Sequence, residues 1–267
     1  MSFTCGFIGS GNMGSALCTA VSKYPEPLRI LVSDHTKEKA DALARYAGGE
    51  SVPTEVVAGE SDFLFLGVKP QKLESLIREI LPVLSERDDR FLLVSMAAGV
   101  TIRQLEQWLK NPYPLIRIMP NTPVSVGEGI ILYTGNGLAT EQDCQLLESI
   151  LAHAGDVLPI PESQMDAAGT VSACGPAYAD LFIEALADGG VACGLPRALA
   201  LRLASQMLLG SGKLQIETQA HPGILKDAVC SPAGSTIEGV RLLEEHAFRA
   251  SVMDAVIASF QKNRNML

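Results

Sequence analysis

The chain has 267 residues, of which 47% are hydrophobic and 19% charged, and its formal net charge is −9. That length and composition indicate a folded protein of two domains and exclude a disordered chain, while the excess of acidic residues argues against a nucleic-acid partner. The 6 cysteines are scattered without metal-ligand spacing, and neither a long apolar run nor a leader segment is recognisable, so we expect a soluble, cytoplasmic protein with reduced thiols, no metal and no membrane span.

Up to about residue 160, short apolar runs alternate with segments of helical period. Strands are predicted at Thr4–Ile8, Arg29–Ser33, Phe63–Val68, Phe91–Ser95 and Leu115–Met119. Helices are predicted between them at Met13–Lys23, Lys37–Ala47, Pro70–Leu84 and Thr101–Lys110. Two further strands, Gly127–Tyr133 and Asp156–Leu158, flank a helix at Glu141–Ala152. Because the strands are apolar on both faces, the pattern predicts a doubly wound α/β domain with a parallel sheet over residues 1–160.

Residues 161–267 carry no strand signal. Helices are predicted at Asp166–Gly189, Pro196–Glu217, Pro222–Val229 and Ser235–Lys262. Several are apolar over more than one stripe, as in Ala198–Leu209. A small helical domain cannot bury that much apolar surface by itself, so we predict an all-helical dimerisation domain that pairs with a second copy of the chain. The alternative is that these helices pack only against the first domain.

A glycine-rich loop follows the first predicted strand and opens the first helix. Its sequence is Gly9-Ser10-Gly11-Asn12-Met13-Gly14. The first glycine permits a tight turn, the second lets the backbone approach a pyrophosphate, and the third lets helix and strand pack closely. Free N–H groups at the helix start can then bind phosphate. At the start of a strand–helix–strand pattern, this loop predicts a Rossmann-type dinucleotide-binding domain rather than an ordinary glycine-rich turn.

The end of the second strand bears on the choice between NAD and NADP. Asp34 lies where an acid would bind the adenine ribose 2′-hydroxyl and repel a 2′-phosphate. Ser33, His35, Thr36 and the lysines at 37 and 39 could instead bind that phosphate. Asp34 could also merely cap the following helix. The sequence therefore predicts NADPH or NADH and leaves the preference open.

Further motifs lie at the predicted strand ends and in the helical half. They are Val68-Lys69-Pro70, the segment 94–101, Met119-Pro120-Asn121-Thr122-Pro123, Gly175-Pro176-Ala177-Tyr178, His221-Pro222-Gly223 and Ser231-Pro232-Ala233-Gly234-Ser235-Thr236. In this order and spacing, and over nearly the whole chain, they resemble the pyrroline-5-carboxylate reductase family. The resemblance implies hydride transfer from NAD(P)H to the cyclic imine Δ1-pyrroline-5-carboxylate, giving L-proline in the final step of proline biosynthesis. It favours NADP, and it implies a swapped homodimer that can assemble into a larger ring.

The resemblance and the glycine loop together give a set of predicted site residues. The predicted cofactor-binding residues are Ile8, Gly9, Gly11, Asn12, Met13, Gly14, Ser33, Asp34, His35, Thr54, Val68, Lys69, Pro70, Met96, Ala97, Ala98 and Asn121. The predicted substrate-binding residues are Ser231, Gly234, Ser235, Thr236 and Glu162. In the family the active site lies between the nucleotide domain and helices that include the partner's, and Thr236 is the residue expected to reach the ring nitrogen or carboxylate.

The chemistry of imine reduction fits this residue set. A protonated imine is already electrophilic, so hydroxyls, backbone amides and the N-terminus of a helix suffice where a carbonyl would need a strong acid. The same residues also have structural interpretations: Ser231 or Ser235 as a helix cap, Lys69 as a solvated lysine and Glu162 as a surface acid. His221 fits a helix start better than a catalytic role.

Several positions depart from the family pattern. Ala233 replaces the first glycine of a Ser-Pro-Gly-Gly loop, so the loop is expected to be stiffer or to need a non-positive φ. Ala173-Cys174 replaces a pair rich in glycine and serine, which could narrow the substrate pocket. Thr54 stands where the family commonly has asparagine. The pair Asp34-His35 also departs from the family pattern, which leaves the cofactor preference in doubt.

Four rival functions are weighed against the reductase. A β-hydroxyacid dehydrogenase needs an asparagine four residues after its helix lysine, and Glu217 occupies that place after Lys213. Ketopantoate- or prephenate-type reductases do not explain the Ser231–Thr236 loop. A nucleotide-binding sensor without turnover, and a broader imine reductase acting on other cyclic imino acids, both stay open.

Overall fold

Eight strands of the N-terminal half form one sheet in the order β3-β2-β1-β4-β5-β6-β7-β8. In this computed structural model, which describes residues 3–264, the strands are β1 (Phe3–Ile8), β2 (Leu28–Ser33), β3 (Glu50–Ser51), β4 (Phe63–Leu66), β5 (Leu92–Ser95), β6 (Leu115–Pro120), β7 (Gly129–Gly135) and β8 (Gly155–Pro159). The first six are mutually parallel, and the order reverses beside β1, with β2 on one side and β4 on the other. Ligands bind at the carboxyl edge of such a sheet, where the strand order reverses.

Helices cover both faces of the sheet. They are α1 (Asn12–Val21), α2 (Lys37–Ala47), α3 (Thr54–Glu60), α4 (Pro70–Ser85), α5 (Ile102–Leu109), α6 (Glu141–Leu151) and α7 (Glu162–Gly169). Two apolar clusters fill the spaces between helices and sheet, one on each face. Phe7 and Phe65 stack in the first cluster with ring centroids 4.6 Å apart, which fixes β1 against β4. The strands are buried on both faces, as their continuous apolar sequence predicts.

Two features of the sheet differ from the sequence prediction. The two-residue strand β3 and the seven-residue helix α3 are additional, because elements that short leave no clear periodicity. The strand predicted at Gly127–Tyr133 begins instead at Gly129, and it runs antiparallel to β6. A single 3-10 turn at Thr122–Val126 joins β6 to β7. A parallel crossover needs a longer connection, so this short turn imposes the reversal.

The C-terminal half consists of helices. They are α8 (Gly175–Ala192), α9 (Arg197–Thr218), α10 (Pro222–Ala228), α11 (Ser235–Glu245) and α12 (Phe248–Arg264). The helix predicted at Asp166–Gly189 is in fact α7, a π-helix at Thr170–Cys174 and α8. The helix predicted at Ser235–Lys262 is broken at Ala247, whose φ of 53° is left-handed and cannot continue an α-helix.

The described chain divides into two compact units. The first comprises residues 3–173 with 262–264, and the second is Cys174–Gln261. The sequence-based boundary at residue 160 coincides with the end of β8, whereas the first unit continues through α7. Within the second unit, the Tyr178 hydroxyl on α8 bonds the Ser259 hydroxyl on α12 at 2.6 Å, a packing contact. Among residues 3–264, no helix is both long and apolar enough to cross a membrane.

Candidate active site

The glycine loop joins β1 to α1 by close backbone contacts. Gly9 has a φ of 107°, and a Cβ placed there would lie 2.7 Å from the Gly67 backbone. A Cβ on Gly14 would lie 2.2 Å from the Gly9 carbonyl oxygen. These two glycines are therefore required by the packing of the loop itself. The sequence interpretation assigned the tight turn and the close helix–strand contact to the same two residues.

Gly11 is not required by the packing of the loop. A Cβ there would meet nothing within 4 Å, and its φ of −70° suits any residue. Gly11 also precedes α1 without a side-chain cap, so the N–H groups of the first turn keep their capacity to donate. Next to it, the Ser10 hydroxyl is buried without a hydrogen-bond partner. Open space, uncapped N–H groups and an orphan hydroxyl fit a bound pyrophosphate.

A cleft of about 630 Å³ opens beside this loop. It lies at the carboxyl ends of β1, β2 and β4, and its lining includes eight of the predicted cofactor residues: Ile8, Gly9, Gly11, Asp34, His35, Thr54, Val68 and Lys69. It also includes residues outside the predicted set: Lys39, Gly67, Lys72, Ser75, Leu76 and Glu79. Lys72 and Ser75 lie one and two turns into α4, a position that no sequence motif marks. The volume is within the range of small-molecule and cofactor sites.

Asp34 is engaged by the protein on both carboxylate oxygens. Its Oδ2 accepts from the Ser10 N–H at 2.7 Å, and its Oδ1 accepts from the Thr36 N–H at 2.8 Å. The His35 Nδ1 lies 2.9 Å from Oδ1. Burial by itself raises the pKa of Asp34, but the backbone hydrogen bonds outweigh it and hold the pKa below the ordinary value. The carboxylate therefore ties the glycine loop to the end of β2.

Ser33 and Thr54 form a second contact at this edge. Ser33 is buried, and its Oγ lies 2.7 Å from the Thr54 Oγ1. The hydroxyl pair joins the end of β2 to the first residue of α3. Thr54 thus keeps a polar group at the cleft where the family often has asparagine.

The other predicted cofactor residues lie outside the cleft lining. Asn12, Met13 and Gly14 form the first turn of α1, and Pro70 is the first residue of α4, preceded by Lys69. Met96, Ala97 and Ala98 follow β5 at the same edge of the sheet as the loop. Ala97 is buried.

Asn121 and Glu162 are both held by protein groups. The Asn121 side chain donates to the Ser172 carbonyl at 3.0 Å and accepts from the Ile130 N–H at 2.9 Å. Glu162 accepts from the Ile102 N–H at 2.7 Å and pairs with Arg117. Arg117 was not singled out in the sequence, although a lone arginine inside the apolar run of β6 is itself a signal.

In the helical unit, the Ser231–Thr236 motif consists of a loop, residues 231–234, and the first two residues of α11. Ala233 has a φ of 54°, so the expected alternative of a non-positive φ is wrong. The Gly234 N–H donates to the Ser231 carbonyl at 3.0 Å, and a Cβ on Gly234 would lie 2.4 Å from the Ser231 Oγ. Gly234 is the N-cap and no side chain caps α11. The exposed Ser235 and Thr236 form the first turn, where N–H groups and the helix dipole favour an anion.

His221 behaves as its structural interpretation expects. It is the N-cap of α10, and its Nδ1 accepts from the Gly223 N–H at 3.1 Å. Its ring nitrogen is therefore used in capping a helix. No group of three or more His, Cys, Asp or Glu side chains suited to a metal ion occurs within residues 3–264.

Comparisons with known proteins place this geometry in a family. Residues 162–266 match the family model for pyrroline-5-carboxylate reductase dimerisation, and residues 4–99 match that for NADP oxidoreductase, coenzyme F420-dependent. A pyrroline-5-carboxylate reductase of Arabidopsis thaliana is 41% identical, covering 99% of this chain and 96% of its own. One from Escherichia coli K12 is 40% identical, covering 98% and 97%.

A solved structure extends the match to three dimensions. The Plasmodium falciparum pyrroline carboxylate reductase with NADP bound has a TM-score of 0.87 at 32% identity, covering 99% of this chain and 98% of its own. These matches confirm the predicted fold of a nucleotide-binding domain followed by a helical dimerisation domain, and they confirm an NADP-linked oxidoreductase. The chain belongs to the pyrroline-5-carboxylate reductase family.

Proposed function

We propose that this protein reduces Δ1-pyrroline-5-carboxylate to L-proline with a reduced nicotinamide cofactor. The observation that carries the proposal is the extent of the match, about 40% identity over 98–99% of the chain to reductases of that name. Both parts of the chain that the chemistry needs are retained: a glycine loop beside a cleft, and an uncapped helix start in the helical unit.

The cofactor would be held at the carboxyl edge of the sheet. The N-terminus of α1 and the open space at Gly11 suit its pyrophosphate, and the cleft beside β1, β2 and β4 suits its adenosine half. Bound there, the cofactor supplies the hydride. Val68, Lys69, Met96 and Ala97 follow β4 and β5, and we assign them to the nicotinamide half.

We propose NADP rather than NAD as the preferred cofactor. An acid that selects NAD must offer its oxygens to the ribose 2′-hydroxyl. Asp34 instead accepts two backbone hydrogen bonds that fix the loop. Lys39, Lys72 and His35 line the same cleft and can bind a 2′-phosphate.

The substrate carboxylate is assigned to the N-terminus of α11. No side chain caps that helix, so the N–H groups of Ser235 and Thr236 can bind a carboxylate together with the helix dipole. The Thr236 hydroxyl would bond the ring nitrogen, and protonation of the imine by solvent makes a strong protein acid unnecessary. Glu162 is held by Ile102 and Arg117, so we assign it an indirect role.

We propose a homodimer formed through the helical domain, with larger rings built from dimers. Exposed apolar side chains are frequent on α9: Leu199, Leu201, Leu203, Met207, Leu209, Leu214 and Ile216. Patches of this kind mark interfaces with other protein surfaces. All six cysteines are free, which suits the reducing cytoplasm that we propose as its location.

The direct test is oxidation of reduced nicotinamide, followed by absorbance, with purified protein and Δ1-pyrroline-5-carboxylate. NADPH and NADH are run in parallel, and the expected result is turnover with both and a higher kcat/KM for NADPH. Cofactor binding without turnover would support a sensor instead. Turnover only with a six-membered cyclic imine would identify a broader imine reductase.

The proposed role of Thr236 has its own test. Thr236→Val removes the hydroxyl and keeps the shape, so kcat should fall by roughly tenfold to a hundredfold while the Kd for NADPH stays unchanged. Thr218→Val is the matched control, because Thr218 only bonds carbonyl and N–H groups at the end of α9. Unchanged turnover in Thr236→Val would remove the assignment.

A further inference from the structure

The segment that leads from the first unit into the helical unit contacts one strand in three ways: by ion pairs, by packing and by a hydrogen bond. We call this segment, residues 162–174, the connector; it contains α7 and the π-helix. Arg117, Met119 and Asn121 each contact it. These residues alternate along β6 and its immediate continuation, so they lie on one face of the sheet. Nothing in the local sequence of the connector shows that it is held in this way.

The first of these contacts is ionic. Arg117 is 1% exposed, and its Nη1 and Nη2 lie 3.2 Å from the Glu162 Oε1 and the Asp166 Oδ1. Glu162 also accepts the Ile102 N–H at the start of α5, so one carboxylate links α5, α7 and β6. Glu162 and Asp166 are one turn apart on α7, and the guanidinium spans both. An arginine whose two terminal nitrogens pair with two different carboxylates fixes orientation as well as distance.

The second and third contacts are packing and a hydrogen bond. Gly169 lies against Met119 so closely that a Cβ there would be 3.2 Å from the Met119 Cγ. The Asn121 amide donates to the Ser172 carbonyl inside the π-helix and accepts from Ile130 on β7. A π-helix leaves carbonyls displaced from the α-helical pattern, and such segments are frequent at functional sites. Asn121 therefore fixes a turn that would otherwise be free to relax to α-helix.

Burial of the Arg117 guanidinium is energetically unfavourable in one respect. Its Nε is buried without a hydrogen-bond partner, and a buried donor left unpaired is unfavourable. A methionine or leucine at this position would fill similar space in an apolar strand. A buried charge with one unpaired donor fits a role in orientation better than a role in stability alone.

We propose that Arg117 and Asn121 are positioning residues that clamp the connector to β6, so that the chain enters the helical unit at Cys174 from one fixed place. In that role they act on imine reduction through the connector, not by contact with substrate or cofactor. The proposal rests on the proposed reductase function for its kinetic consequence, but the clamp itself is a property of the first unit. Asn121, predicted from the sequence to bind cofactor, is thereby given a different role.

The variants are Arg117→Lys, Asp166→Asn and Asn121→Ala, so that the proposal survives if one of them fails to fold. The matched control is Arg87→Lys. Arg87 is another buried arginine, 6% exposed, which bonds the Ala58 and Ser61 carbonyls, pairs with Asp89 and lies over the Phe91 ring, all remote in sequence from the connector. It should lose comparable thermal stability without affecting the connector.

Two readouts separate positioning from general destabilisation. Hydrogen exchange by mass spectrometry should show faster exchange of the amides at 166–174 in the three clamp variants and not in Arg87→Lys. The kcat/KM for the imine should fall on the order of tenfold to a hundredfold, while the Kd for NADPH changes by less than about twofold. Arg117→Met, which lacks the charge, should lose more turnover than Arg117→Lys.

The outcomes are distinct. A wild-type protein that does not turn over the imine refutes the proposed function, and the exchange measurement then still decides the clamp. Unchanged exchange in the connector overturns the clamp. An Asn121→Ala variant that loses NADPH affinity shows that Asn121 binds cofactor, and equal losses of turnover in Arg87→Lys show that Arg117 acts only through stability.

Discussion

At the scale of single residues, three glycines of the same loop serve different purposes. Gly9 and Gly14 are fixed by close backbone contacts within the protein, whereas Gly11 faces open space. The sequence motif by itself does not distinguish these three roles. The structure separates the two that the fold needs from the one that internal packing leaves free.

The glycine pair gives a direct prediction. Gly11→Ala should leave the free energy of unfolding unchanged or raise it by about 0.5 kcal/mol, and it should weaken NADPH binding by roughly tenfold or more because a methyl group occupies the pyrophosphate approach. Gly14→Ala should weaken NADPH binding and should also lower the free energy of unfolding, by about 1–3 kcal/mol, because of the contact with Gly9. Urea unfolding and NADPH fluorescence titration measure the two quantities. A Gly11→Ala variant with wild-type affinity would show that the cofactor lies elsewhere.

Asp34 gives a second prediction. Because its carboxylate holds the Ser10 N–H, Asp34→Ala should weaken NADPH and NADH by similar factors, on the order of tenfold each. Glu38→Ala removes a charge from the first turn of α2, outside the glycine loop, and it should change neither affinity substantially. If Asp34 instead contacts the ribose, Asp34→Ala would improve NADPH binding and harm NADH binding.

The same carboxylate has a pH signature. Its pKa is lowered in the folded protein, so its contribution to stability is complete above the ordinary value of 3.8 and is lost as the pH falls through the lower folded value. The stability difference between wild type and Asp34→Asn should therefore shrink between about pH 5 and about pH 3. Urea unfolding at several pH values in that interval measures it, with Glu38→Gln as the control.

At the scale of elements, the helical unit contains two places where alanine adopts a left-handed conformation. Ala233 lies in the loop before α11, and Ala247 lies between α11 and α12. Both positions end or precede a helix and would suit glycine. Alanine at each of them therefore holds a left-handed backbone at the expense of some strain.

The strain can be measured. Ala233→Gly should raise the free energy of unfolding by about 0.5–1 kcal/mol, since relief of the left-handed conformation exceeds the added entropy of the unfolded chain. Ala247→Gly is the matched control with nearly the same φ, 53° against 54°, and should give a similar gain. A destabilised Ala233→Gly beside a stabilised Ala247→Gly would mean that contacts of the Ala233 methyl group hold the loop.

At the scale of the whole molecule, the two units differ in how much of their apolar surface they bury. The first unit has an apolar core on both faces of its sheet and the cleft beside the glycine loop. The second has few buried side chains among its many apolar ones, with Ala187, Ala200 and Ala204 as its buried hydrophobic residues. A helical domain of this kind is completed by association, which agrees with its match to a dimerisation domain.

Association through α9 is testable. Leu203 is 52% exposed, and Leu203→Asp should raise the dimer dissociation constant by at least about a hundredfold, because a carboxylate cannot be buried in an apolar interface without losing its hydration. Tyr46→Asp, on α2 and 76% exposed, is the control. Analytical ultracentrifugation over a dilution series measures both. A Leu203→Asp protein that remains dimeric would exclude this part of α9 from the interface.

Much of this architecture could be predicted from the sequence alone. The apolar runs predicted the strands, because strands buried on both faces are apolar throughout. The glycine loop predicted a dinucleotide-binding domain, because a tight backbone turn requires glycine at particular positions. The helical half and the family were also evident, since several motifs occur in one order across the chain. The elements that escaped prediction were short, such as β3 and α3, or were broken by a single left-handed residue, as at Ala247.

Only the tertiary structure showed which polar residues are held by distant parts of the protein. Asp34 meets Ser10 across 24 residues, Arg117 meets Glu162 across 45, and Asn121 meets Ser172 across 51. Periodicity and motifs report how a residue sits within its own element, but a hydrogen-bond partner is brought into place by the packing of distant elements. The antiparallel direction of β7 escaped prediction for the same reason, because a strand's partner lies outside its own sequence.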